Sequence, residues 1–148
     1  MIRIPTKIRY GTRAMLDLGL NYGNGLILLK EIAKRQEISV GYLEQIIPGL
    51  KAAGLVNSSR GAHGGYVLAK EPADITLKEI ISALEGPLSL VECISDPDSC
   101  ERADICITRD IWDDLGAIID DFLLSITLQQ LIGKYRSKQR SCSLMYNI

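Results

Sequence analysis

Three cysteines fall within fourteen residues, in the pattern Cys93-x6-Cys100-x5-Cys106. Thiolates are soft ligands suited to iron–sulfur clusters, zinc and copper(I). Three on one segment leave a fourth position for another group, and a weaker fourth ligand makes a bound cluster more labile. The spacing is longer than the C-x2-C of common zinc knuckles, which lowers the zinc reading. Glu92, Asp96, Asp98, Glu101 and Asp104 make the segment acidic, a poor setting for bare thiolates. Metal-bound cysteines are therefore favoured over thiol redox chemistry or plain burial. Cys142, beside Arg140 and serines, reads as incidental. With one histidine, His63, Ser/His or Cys/His catalysis is hard to build within the chain. No paired acid and base, nucleophile elbow or phosphate loop stands out, so the chain does not read as an enzyme.

A second constellation lies earlier. A helix opening at Ser39 would present Ser39, Val40, Gly41, Glu44 and Gln45 on its outer, early positions. Gln can bond bidentately to adenine and Glu can accept from cytosine, so base readout is chemically possible. Arg60 sits at the head of Arg60-Gly-Ala-His-Gly-Gly-Tyr66, a glycine-rich tip that allows close approach to a sugar-phosphate wall. Arg3, Lys7, Arg9, Arg13 and Lys51 are candidate phosphate contacts. The alternative is that these cations only solvate a face.

The elements that position these groups can be read from periodicity. Residues 7–22 form a helix with Ile8, Ala14, Met15, Leu18 and Leu20 near helical spacing, closed by Gly23-Asn24. Residues 28–35 form a short amphipathic helix, and 36–39 a tight connection. Ser39 caps the third helix, which buries Tyr42, Leu43, Ile46, Ile47 and Leu50 and stops at Gly54. Pro48 predicts a kink or restart there, because proline lacks a backbone donor. Two β-prone runs within 55–68 make a hairpin. Thr76-x-x-Glu79 is a capping box for a helix to about residue 85, and Gly86-Pro87 breaks the chain. Residues 91–106 are the polar cysteine loop. Residues 108–125 form a long helix with Ile111, Leu115, Ile118 and Phe122 in one stripe and Trp112 and Ile119 beside it. Thr127-x-x-Gln130 opens a short last helix ending at Gly133.

The fold class is mainly α with a small β-hairpin. A winged helix-turn-helix DNA-binding domain occupies 1–85, the cysteine loop and dimerisation helices 86–133, and a basic, mobile tail 134–148. The net charge of −1 conceals a division: residues 1–70 carry ten Lys/Arg against four Asp/Glu, and 71–148 carry seven against fourteen. A basic lobe suits phosphates, while the total alone argues against them. The long helix exposes more apolar surface than its own lobe covers, which favours a twofold homodimer on palindromic double-stranded DNA. The longest apolar runs are far short of the ~20 residues that span a bilayer, and the first residues lack the order of a secretion signal. The protein reads as cytoplasmic.

Residues 10–18, Ile38-Ser-Val-Gly-Tyr-Leu-Glu-Gln45, Ala53-Gly-Leu-Val56, Arg60 to Tyr66 and the cysteine loop before Trp112 together resemble the IscR-like regulators, grouped with NsrR and CymR in the Rrf2 family. The resemblance covers about residues 1–133. It implies a dimeric winged-helix transcription factor in which Cys93, Cys100 and Cys106 hold an iron–sulfur cluster, of 2Fe–2S type in IscR, that selects promoters and serves cluster biogenesis. The histidine that IscR-type members place three residues after the last cysteine is Arg109 here, and the first-helix aspartate of some NsrR-type members is Arg9. Arginine stays protonated and is no ordinary iron ligand. The fourth ligand is therefore open among Cys142, a loop carboxylate, His63 and a group from a second subunit. Two other readings stand beside this one: a cluster-free, CymR-like regulator controlled by a partner protein or thiol state, and a small metal protein that does not bind DNA.

Overall fold

The structure is a computed structural model and describes residues 1–147. Helix α1 (Thr6–Leu20) turns Ala14, Met15 and Leu18 into the interior. Gly19 lets it approach the chain's last helix, since a Cβ there would lie 2.8 Å from the Ile132 side chain. Helix α2 (Leu29–Gln36) buries Ile32 and Ala33 and ends at Glu37, whose φ of 53° turns the chain sharply. Ser39 then accepts a hydrogen bond from the Tyr42 N–H at 3.2 Å and opens α3 (Val40–Ala52), as its position predicts.

Of the kink or restart expected at Pro48, the restart does not occur: α3 runs as one helix from Val40 to Ala52. Pro48 and Glu44, whose carbonyl loses its usual donor, both lie on the exposed side of α3, where water can replace the missing bond. Leu43, Ile46, Ile47 and Leu50 hold the opposite side in the core.

Strands β1 (Val56–Ser59) and β2 (Gly65–Leu68) form the expected antiparallel hairpin, Val56 opposite Leu68 and Ser59 opposite Gly65. The hairpin is anchored to the α1–α2 connection by paired bonds between Ile27 and Tyr66, at 2.9 and 2.8 Å. Residue 65 must be glycine for this approach, because a Cβ would sit 2.7 Å from the Ile27 carbonyl oxygen. Helix α4 (Leu77–Glu85) begins with the predicted capping box of Thr76 and Glu79. The polar segment after it holds a single-turn helix α5 (Glu92–Ser95) and two 3-10 turns, Pro97–Ser99 and Ala103–Ile105.

Helix α6 (Ile107–Ser125) is the long helix read from the sequence, and only Leu123 along it is buried. Helix α7 (Leu128–Tyr146) departs from expectation: it passes through Gly133 and continues into the segment read as a tail. A helical glycine costs about 1 kcal/mol relative to alanine, which flanking residues with good helix propensity outweigh. Its first turns are also held by the bond from Leu77 N–H to Ile126 O and by that from Leu128 N–H to Ile75 O, both 2.8 Å. Ile148, the last residue of that segment, lies outside the described residues.

One core joins α1 to α4, the hairpin and the start of α7, centred on Met15, Leu18, Ile32, Leu43, Ile46, Leu50 and Ile80. Leu128 and Ile132 belong to it, so packing crosses the boundary drawn at residue 85 from the sequence. No helix among the described residues is long and apolar enough to cross a membrane.

Candidate DNA-recognition face and cysteine loop

The first turns of α3 stand clear of the core. Ser39, Val40, Gly41, Glu44 and Gln45 are all exposed, as a helix entering a groove requires. Glu44 and Lys51 share a cleft of about 330 Å³ with Ile47, Pro48 and Tyr66, where α3 meets the wing. Arg60 is exposed at the hairpin tip, next to Gly61 with φ of 106°. Arg9 donates to the Thr6 hydroxyl at 3.1 Å and its guanidinium lies 5.9 Å from the Tyr10 ring. The Tyr10 ring packs edge-on against Tyr42 of α3, centroids 5.5 Å apart. Arg13 lies over the same Tyr10 ring and donates to the Gln36 carbonyl. The front of α1 is thus coupled directly to the base of α3.

Two of the expected phosphate contacts have neighbours of their own within the chain. Lys7 is half-buried and donates to the Leu84 carbonyl, binding an open carbonyl at the end of α4. Arg3 lines a cleft formed with the 85–90 segment and Ile119 of α6. Behind the recognition elements, Asp17 is buried and receives Arg35 through contacts of 2.7 and 3.0 Å and the Gln36 amide at 3.1 Å. This charged cluster fixes α2 to α1. The sequence reading passed over it, because a lone aspartate on an apolar face gives no sign of its partner eighteen residues on.

The cysteine loop is more open. Cys93 lies in α5, Cys100 follows the first 3-10 turn and Cys106 caps α6. All three are partly exposed, and Cys142 on α7 is exposed. Arg109, one turn into α6, donates from Nε to the Cys93 carbonyl at 3.1 Å, tying the first cysteine to the helix that starts at the third. The Thr108 hydroxyl, 3.2 Å from Cys106 Sγ, holds that thiol below its ordinary range. The N–H of Arg109 acts in the same direction, with smaller help from the Thr108 N–H and the Arg102 charge. The acidic composition of the loop hides this, because helix-terminal donors and one hydroxyl act at shorter range than the carboxylates.

The donor types suit a thiolate-bound cluster, and the three thiols share one segment, although among the described residues no three His, Cys, Asp or Glu side chains converge on one metal position.

Comparison with known proteins spans both the winged-helix part and the cysteine loop. A family model described as "Iron-dependent Transcriptional regulator", Rrf2, matches residues 4–134. The HTH-type transcriptional regulator IscR of Klebsiella pneumoniae is 40% identical over 132 residues, covering 89% of this chain and 80% of that protein. Protein rrf2 of Nitratidesulfovibrio vulgaris is 39% identical over 131 residues, covering 88% and 87%. Among solved structures, T. potens IscR superposes with a TM-score of 0.77 at 40% identity, covering 93% of this chain and 91% of that one. CymR, the global cysteine regulator of B. subtilis, does so with 0.75 at 42%, covering 90% and 98%. These neighbours support a regulator over an enzyme and lend nothing to a metal carrier without DNA contact. With the winged helix, the exposed first turns of α3 and the match over residues 4–134 in agreement, the chain belongs to the Rrf2 family of transcriptional regulators.

Proposed function

We propose that this Rrf2 regulator binds a palindromic double-stranded DNA operator as a homodimer and that its cysteine loop sets the affinity by taking up an iron–sulfur cluster, of the 2Fe–2S type implied by the IscR resemblance. In this reading α3 enters the major groove and Arg60 follows the backbone or minor groove. The regulated genes would then serve cluster biogenesis. The observation that carries the reading is the placement of all three thiols on one excursion that ends as the cap of α6. When bound, a cluster supplies a tie that is lost on oxidation or iron shortage. The chain's own residues supply the link outward: Arg109 joins the Cys93 backbone to the first turn of α6, and α6 carries the apolar stripe available for a second copy. Cys93, Cys100 and Cys106 are the proposed ligands, with no fourth ligand from Arg109 or Arg9.

Anaerobic reconstitution with counting of iron and sulfide, read alongside DNA binding with and without the cluster, tests this. Coloured protein is expected, losing its visible absorbance on Cys93→Ala and changing DNA affinity with cluster content. Protein that stays colourless and takes up no iron or sulfide overturns the cluster reading.

A second reading has its own observation. The lowered Cys106 thiol, with Arg109 in the ligand position, suits control by thiol state. A relative at 35% identity, Staphylococcus aureus CymR, has been solved in an oxidized form. DNA affinity that is the same for iron-loaded and iron-stripped protein, yet responsive to peroxide, would favour this reading.

A further inference from the structure

Helix α7 continues to Tyr146, whereas the family match ends at residue 134. Along its length α7 carries Lys134, Arg136, Lys138 and Arg140 and no carboxylate. It runs antiparallel to α1: Ile132 lies against Gly19, while Lys134 and Lys138 line a cleft of about 320 Å³ with Arg13 and Leu16. The floor of that cleft is Leu16, Leu131 and the Tyr135 ring. Three cations therefore stand around one apolar-floored groove, and none of them forms an ion pair with a carboxylate among the described residues. Like charges gathered in this way repel unless an anion lies between them.

The groove also adjoins the recognition helix. Arg13 lies over Tyr10, 5.6 Å from its ring centre, and Tyr10 packs edge-on against Tyr42 of α3. Arg9 flanks the same ring. A row of cations thus leads from the root of α3 across α1 to α7, and Asp17, the carboxylate of α1, is buried and engaged by Arg35.

We propose that Arg13, Lys134 and Lys138 form a second DNA-contact site, which grips the sugar-phosphate backbone beside the segment read by α3. The inference rests on the DNA-binding reading of α3 and the wing and extends it to a helix that lies mostly beyond the family match. The ligand is the phosphodiester backbone of duplex DNA. Lysines bind phosphate as point charges and release counterions, so the contact adds affinity and salt dependence without adding sequence preference.

The test uses the full chain. A duplex is first selected from a random-sequence pool, then prepared both trimmed to its selected core and extended by ten unrelated base pairs on each side. Lys134→Gln/Lys138→Gln is compared with the unaltered chain and with Gln45→Ala across a salt series. The expected result is binding to the extended duplex weakened by about tenfold per lysine at 0.1 M salt, with the slope of log K against log salt shallower by about 0.9 per lost contact. The selected sequence stays the same, and the unaltered chain gains more from extension than the double variant does. Unchanged affinity and slope in the double variant, while Gln45→Ala abolishes selection, overturns this inference and leaves the DNA-binding reading standing. Failure of the unaltered chain to select any duplex removes that reading itself. A double variant that changes only self-association, by sedimentation without DNA, shows the groove to be filled by the acidic α6 of a second copy and also overturns the proposal.

Discussion

Helices α3 and α6 carry the same kinds of residue at similar spacing and treat them in opposite ways. In α3, Leu43, Ile46, Ile47 and Leu50 are sealed in a core built from four helices, the hairpin and the start of α7. In α6, Ile118 is 66% and Phe122 61% exposed, and only Leu123 is buried. The first half buries its apolar stripe within one chain, whereas α6 leaves its stripe uncovered. Uncovered apolar surface of this kind is where the proposed dimer would pack, so the contrast separates a core closed within one chain from a face that the proposal assigns to a second copy.

The largest effect that sharpens the contrast comes from paired truncations. Leu43→Ala should cost about 3 kcal/mol of stability in a denaturant titration, through lost burial and the cavity left behind. Ile118→Ala should change the stability of dilute protein by less than about 0.5 kcal/mol while shifting sedimentation toward the monomer. Comparable losses from both would erase the distinction.

Ion pairs give the next contrast. Arg35→Ala leaves the buried Asp17 carboxylate with only the Gln36 amide, at a cost of about 2–3 kcal/mol, below the full range for a sealed pair because Arg35 is partly solvated. Lys78–Asp120, which joins α4 to α6, is about one-third exposed at both ends, so Lys78→Ala should cost no more than about 1 kcal/mol. Thermal melts of the two variants, run together, check the order.

Within the loop, the metal-free protein should show the effect of Thr108 on Cys106. Removing the hydroxyl in Thr108→Val lets the thiol rise toward its ordinary value, so less thiolate is present at neutral pH and alkylation by iodoacetamide slows. Mass mapping of the labelled peptide reads the rate, and an unchanged rate would place the control elsewhere.

The smallest effect belongs to Glu79. Burial pushes its carboxyl up, but hydrogen bonds from Lys70 and the Thr76 backbone outweigh it and hold the group below the usual range. Because the folded value is lowered, the stabilisation is present above the unfolded value and fades as pH falls through the folded one. The unaltered chain should therefore lose more stability than Glu79→Gln on acidification from pH 6 to 3, as followed by circular dichroism.

Much of the head was legible because its signals are local. Ser39, Thr76 and Thr127 each announce a helix start by a hydroxyl that meets a backbone N–H three residues on, and all three do so in the structure. The hairpin was legible from its glycines. A restart at Pro48 and an ending at Gly133 both failed for a common reason, in that each weighed a residue without its surroundings. Pro48 is tolerated because its lost bond faces water, and Gly133 because α7 is held at its base by Leu128 and Ile132. The ending of α7 at Gly133 also hid Lys134 and Lys138, although their four-residue spacing continues the helical period of Leu131 and Tyr135.

By itself the sequence determined where most helices start and where the hairpin lies, that the cations gather in the first half, and that three soft ligands share one loop, because these follow from short-range periodicity, capping and composition. Only the tertiary structure decided that Lys7 caps α4 instead of facing outward, that Asp17 belongs to Arg35, that Arg109 holds Cys93 to α6, and that α7 brings its lysines beside Arg13. Those pairings depend on side chains distant in sequence meeting across packed helices, and local spacing carries no record of which surfaces will meet.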